Sequence, residues 1–190
     1  MLLVPYHNIT PYHLKVNRML RLSQKNPIWA NVKLKNTGLT VRSVGCTLTS
    51  INMGLLKFNP KSEIRPNDIA RLLKFTDVNH PKGEGLIIWG DNEEQFKQLG
   101  IQFIGRYYGD SEDDIETIDK MAEDDDHFVI IEVLRKDGGN HWMFCHGTAL
   151  TWRGFGLACD DPINGAILWK TVGWGAPYVR MTGNAVFKKI

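Results

Sequence analysis

Residues 43–55, SVGCTLTSINMGL, place Cys46 directly after a glycine, where a small, hydroxyl-rich turn gives way to apolar residues at helical spacing. The start of a helix lowers a thiol pKa, and the thiolate is the nucleophilic form. Packing is the competing reading, because free cysteine is among the most commonly buried side chains. A second stretch, NHWMFCHG at 140–147, follows the turn DGGN and puts His141 at the beginning of a strand, where its ring can reach a cleft. Alternation along that strand sets His141, Met143 and Cys145 on one face and Trp142, Phe144 and His146 on the other. A third, CDDPING at 159–165, brings Asp161 to the end of the next strand, just before a proline. Cys46, His141 and Asp161 are the residue types of a thiolate nucleophile, an imidazole that moves its proton and a carboxylate that fixes the imidazole tautomer.

Metal binding competes for the same residue types. Zinc sites use close ligand pairs such as CxxC or HxxxH, whereas the cysteines here stand at 46, 145 and 159. Cys145 and Cys159 therefore read as residues packed inside the sheet. No GxGxxG follows a strand, and neither GxxxxGK[ST] nor the GxSxG nucleophile elbow occurs. His80 and His127, at the borders of elements, read as structural. The tryptophans 29, 89, 142 and 169 read as core or cleft-wall aromatics.

Helical signals come first in the chain. Periodicity runs from Thr47 to Lys57, and Pro66 opens PNDIARLLKF at a position where proline is tolerated. DNEEQFKQLG is a third helix ended by Gly100. SEDDIETIDKMAEDDD is a fourth, with Ser111 as N-cap and carboxylates in the first turn, its acidic run a solvated face. Residues 24–45, rich in Asn, Gly, Pro and Thr, read as an ordered loop. After Asp126 the runs HFVIIEVLR, NHWMFCHGTAL, GFGLACDDP, AILWKTV and YVRMTGNAVFKK are strands. Helices followed by strands predict an α+β domain with the helices packed on a mostly antiparallel sheet.

At 190 residues and 43% hydrophobic, the chain can bury a core as one domain. We divide it into an N-terminal arm or helix, 1–23, and a domain, 24–190. A net charge of +2 calls for neither nucleic acid nor an anionic membrane surface. No apolar run is long enough to span a bilayer, and MLLVPYHNITPYHLKVNRML lacks the pattern of a secretory signal. Synthesis in the cytoplasm is expected, with any work elsewhere reached by lysis, a pore or incorporation into a particle. Three cysteines cannot all pair with one another, so free thiols are expected.

The stretch from Ser23 to Leu55 resembles the opening of papain-like cysteine peptidases related to the bacteriocin-processing, double-glycine peptidases. In that family's broader branch a lead-in in the style of Q-x-D-P-x-W precedes a thiol motif like G-C-x-x-T-S-x-x-M. This chain carries Gln24, Pro27 and Trp29, then Gly45, Cys46, Thr49, Ser50 and Met53. Its NHWMFCHG and DDPING are similar to the family's H-W-x-x-x-x-G and D-P-x-x-G. The resemblance implies a papain-like fold and a Cys-His-Asp triad: Cys46 the nucleophile, His141 the general base and Asp161 the orienting acid, with Asp160 the substitute for that role. It also implies an oxyanion hole formed by the Gln24 side chain and the Cys46 N–H. Two departures stand out. Gln24 lies 22 residues before Cys46 instead of six, the position held here by Thr40, and Asn26 replaces the Asp of the lead-in.

The activity implied is that of a cysteine peptidase or amidase acting through a Cys46 thioester, without metal or organic cofactor. Relatives with this motif act on peptide cross-bridges or leader peptides, often in bacterial and bacteriophage proteins. A peptidoglycan hydrolase carried by a phage virion or released to the cell wall is therefore one expectation, with residues 1–23 a possible attachment to a larger assembly. The alternative is a papain-like binding or structural module that has lost catalysis. Acyl transfer to an amine by the same residues is a third reading. The loops at 57–66, 77–92 and 105–112 are expected to shape the substrate pocket.

Overall fold

The computed structural model describes residues 22–109, 111–151, 154–163 and 178–190. The arm at 1–21, the strand expected at AILWKTV and Trp169 lie outside these residues. The elements run α1 (Val41–Val44), α2 (Cys46–Phe58), α3 (Pro66–Leu72), a 3-10 turn (Trp89–Asn92), α4 (Glu93–Gln98), β1 (Ile101–Tyr107), α5 (Glu112–Glu123), β2 (His127–Arg135), β3 (Asn140–Thr151), β4 (Gly154–Asp160) and β5 (Tyr178–Lys189). The strands form one sheet in the order β1-β5-β2-β3-β4, antiparallel at every junction. The molecule is α+β, as expected.

Both faces of the sheet are covered, which explains why β2 is buried from Phe128 to Val133. Phe128 and Ile130 point into a cluster with Leu48, Ile51 and Leu55 of α2, and Phe187 lies parallel to Phe128 with ring centroids 4.7 Å apart. Val129, Ile131 and Val133 point the other way, joining Ile118 and Ala122 of α5. Met143 and Cys145 share that second cluster, while Trp142 and Phe144 belong to the first, as strand alternation requires.

α2 is the central helix. Every residue from Leu48 to Leu56 is buried, the mark of a helix enclosed on all sides instead of one lying on a surface. Gly54 lets its backbone rest on the sheet, because a Cβ there would collide with the Phe128 ring. At the far end, Lys57 Nζ donates to the carbonyls of Ala122, Asp124 and His127 at 2.7–2.8 Å, tying α2 to the end of α5.

Two sequence expectations are corrected. The loop at 24–45 contains a helical turn, α1, together with a bridge between Lys33 and Thr40; a four-residue helix is too short for periodicity to register. β1, interposed among the helices, was not anticipated and breaks the helices-then-strands order. It is a sheet edge with only β5 beside it, so its burial alternates weakly and its sequence carries little strand signal. The other helices stand where expected, with ends shifted by a few residues. Pro66 is at the first helical position, Ser111 accepts from Asp114 N–H as an N-cap, and Gly100 follows α4 with φ +74°.

Candidate active site

Cys46 is the first residue of α2, and the chain reaches it through the broken turn of α1. At Gly45 a Cβ would collide with the Val41 backbone, so only glycine permits this tight junction. In an unbroken helix the Arg42 carbonyl would take the Cys46 N–H. Here the Arg42 carbonyl instead accepts from Gln24 Nε2 at 2.8 Å. The Cys46 N–H thus remains one of the orphan donors of a helix start. The thiol is half-buried, with Thr47 Oγ1 4.0 Å from its sulfur.

The gap that receives this sulfur comes from unequal strand lengths. β4 pairs with β3 only as far as Asp160 opposite Phe144. Residues 140–143 of β3 consequently have β2 on one side and no β4 residue on the other. The N-terminal turns of α2 lie along that open edge. Trp142 N–H donates to the Cys46 sulfur, and Ser50 Oγ donates to the Trp142 carbonyl at 3.3 Å. His141, one residue earlier, hydrogen-bonds Cys46. Its Nε2 lies 2.8 Å from Asp161 Oδ1, which leaves Nδ1 to face the sulfur. Asp161 stands just past the end of β4, and the Ile163 N–H also donates to its Oδ1 at 2.8 Å. The three residues read from the sequence are therefore assembled into one hydrogen-bonded chain.

Electrostatics favour charge separation along it. Partial burial pushes the Cys46 thiol up. The hydrogen bond and positive charge of His141, the Trp142 N–H and the Thr47 hydroxyl outweigh this, and the thiol falls below its ordinary value. Burial pulls the His141 imidazolium down, but the bonds to Asp161 and Cys46 and their negative charges push its pKa up to about 9. Both shifts favour transfer of the thiol proton to the imidazole.

Gln24 reaches the site across a long sequence gap. Its N–H donates to the Pro162 carbonyl at 2.8 Å while its Nε2 holds the Arg42 carbonyl, so it bridges the loop after Asp161 to the turn before Cys46. An amide NH₂ has two protons, and the Arg42 carbonyl occupies one of them. Thr40, at the six-residue position, instead opens α1, its N–H donating to Ser43 Oγ at 3.0 Å. Asn26 Oδ1 accepts from Ile28 N–H at 3.0 Å, a local turn contact that an Asp would make equally well. Trp29 is buried and its indole N–H donates to the Ser23 carbonyl at 2.8 Å, fixing the lead-in.

Asp160 does not share in the chain. Its Oδ2 is 2.9 Å from His146 Nε2, a second His–Asp pair that the sequence reading missed. The signal was available: HxxxxH on β3 followed by two adjacent aspartates at the end of β4 supplies one carboxylate for each histidine. Cys145 and Cys159 are buried in the sheet, as expected, and stand directly opposite one another on β3 and β4. Among the described residues, no group of three or more His, Cys, Asp or Glu side chains is placed to hold a metal ion, and no helix is long and apolar enough to cross a membrane. No family model matches this chain, and no curated protein matches it.

Proposed function

We propose that this chain is a thiol hydrolase of the papain-like kind, a cysteine peptidase or amidase that cleaves peptide bonds through a thioester at Cys46. The observation that carries the reading is that His141 is hydrogen-bonded at once to Cys46 and to buried Asp161. The Cys46 thiolate adds to the scissile carbonyl carbon. The resulting oxyanion is met by the Cys46 N–H and by the second proton of Gln24 Nε2. His141 passes its Nδ1 proton to the leaving amine, and the C–N bond breaks to give the thioester. Neutral His141 then removes a proton from water, hydroxide adds to the thioester, and collapse releases the acid and returns the thiolate–imidazolium pair. Asp161 holds the ring orientation through both halves and stabilises the imidazolium. No cofactor enters this chemistry.

Peptide cross-bridges of peptidoglycan are the substrate class suggested by the resemblance of the thiol motif, and a phage particle or the cell wall the corresponding place of work. The test is incubation with peptidoglycan fragments and with peptide libraries, followed by mass spectrometry, beside a Cys46→Ala control. Cleavage by the native chain and none by the variant supports the reading. Cleavage by neither, together with an ordinary, slow-reacting thiol at Cys46, refutes it and favours a binding module.

A further inference from the structure

β4 pairs with β3 only as far as Phe144, so among the described residues no strand lies on that side of residues 140–143, and α2 supplies partners there. Within a strand the N–H and C=O of one residue point to the same side. Trp142 turns both toward α2, where Cys46 accepts the N–H and Ser50 Oγ donates to the C=O at 3.3 Å. Cys46 and Ser50 are four residues apart, hence stacked one turn above the other on a single helix face. Together they stand in for the missing β4 partner. Ser50 is fully buried, and this bond spans 92 residues of sequence. His141 precedes the clamped residue, so its backbone position relative to the sulfur depends on the same two bonds.

We propose that Ser50 is a positioning residue whose hydroxyl fixes the open edge of β3 against α2 and so sets the approach of His141 to Cys46. The proposal rests on the thiol-hydrolase reading, and it goes beyond the triad by naming what holds two of its members in register. Without the hydroxyl, the Trp142 carbonyl loses its donor and the strand edge can shift. A displacement of this size weakens the Cys46–His141 bond well before it unfolds the domain.

The experiment is iodoacetamide labelling of Cys46, followed by mass spectrometry from pH 4 to 9, in the native chain, Ser50→Ala and Thr49→Ala. Thr49 is an equally buried hydroxyl on the same helix, but its Oγ1 has no hydrogen-bond partner. The expected result is that Ser50→Ala labels at least about fivefold more slowly at pH 6, its profile moving toward the ordinary thiol value of about 8.5. Thr49→Ala should keep the native profile whatever its melting temperature. An unshifted Ser50→Ala profile in folded protein, or an equal shift in Thr49→Ala, overturns the proposal. Should Ser50→Ala not fold, Ser50→Cys, a near-isosteric and weaker donor, must show the same direction of shift. A native chain that already labels as an ordinary thiol would instead overturn the underlying hydrolase reading, a failure visible before any variant is compared.

Discussion

Two His–Asp pairs join β3 to the end of β4, and only one of them also meets a thiol. His141–Asp161 and His146–Asp160 have the same chemistry and almost the same length, 2.8 and 2.9 Å. Their surroundings differ. The side chains of His141 and Asp161 are 3% and 1% exposed, whereas that of His146 is 31% exposed. His141 is also hydrogen-bonded to the Cys46 thiol at a helix start. His146 stands against the edge of the Phe144 ring, centroids 4.8 Å apart. A His–Asp pair orients an imidazole, and what makes the imidazole useful is the third group placed at its free nitrogen. That placement follows from the length of β4, which covers His146 and stops short of His141.

The comparison can be broken at several points. Cys46→Ala should abolish all cleavage that the native chain performs while leaving the melting temperature within a few degrees, measured by turnover and thermal unfolding side by side. Gln24→Ala should lower kcat by about 10²–10³, the usual cost of one oxyanion donor, yet leave iodoacetamide labelling of Cys46 unchanged because the donor acts only on the developing charge. His141→Ala should slow that labelling at pH 6 by about 10², since an ordinary thiol holds well under one per cent thiolate there. His146→Ala should leave the rate within about twofold. If the two histidine variants label alike, the distinction drawn between the pairs is wrong. Asp161→Asn should slow labelling at pH 6 by roughly tenfold through weaker support of the imidazolium, and Asp160→Asn should not.

The smallest effect concerns stability against pH. The raised pKa of His141 contributes stability that is complete below its unfolded value near 6.5 and lost as pH rises through about 9. Cys46, lowered on folding, contributes stability that grows as pH rises from its folded pKa toward its ordinary value. The two contributions slope in opposite directions with pH, so they offset one another. The native melting temperature should therefore vary only weakly between about pH 6.5 and 9 as far as this pair is concerned. In Cys46→Ala the thiol's contribution is gone and only the part of the His141 shift caused by Asp161 remains, so the melting temperature should decline as pH rises above about 6.5.

How far this site could be read from the chain depended on whether a residue's role is local. Cys46 was legible because Gly45, the hydroxyl-rich turn and the apolar periodicity of α2 are all within a dozen residues. His141 and Asp161 were legible because each follows or precedes a turn marked by glycine or proline. The choice between Asp161 and Asp160 was not, since adjacent residues at a strand end point oppositely and only the register against β3 assigns their partners. Gln24 was readable as a residue type in a motif. Its route to the site, bonded to Pro162 on one side and Arg42 on the other, was not.

What the sequence determined by itself is the set of local elements and the chemically able side chains at their ends: a helix begun by Cys46, a strand begun by His141, a strand finished by Asp161. These follow from periodicity, glycine and proline, which act within a few residues. The tertiary structure alone decided that α2 lies along β3 beyond the end of β4, that Ser50 and Cys46 meet Trp142 there, and that one His–Asp pair meets a thiol while the other does not. Those outcomes depend on strand length and register across more than 90 residues of chain. No local propensity encodes them. They are set when the two faces of the sheet are packed and each polar group at its edge must find a partner.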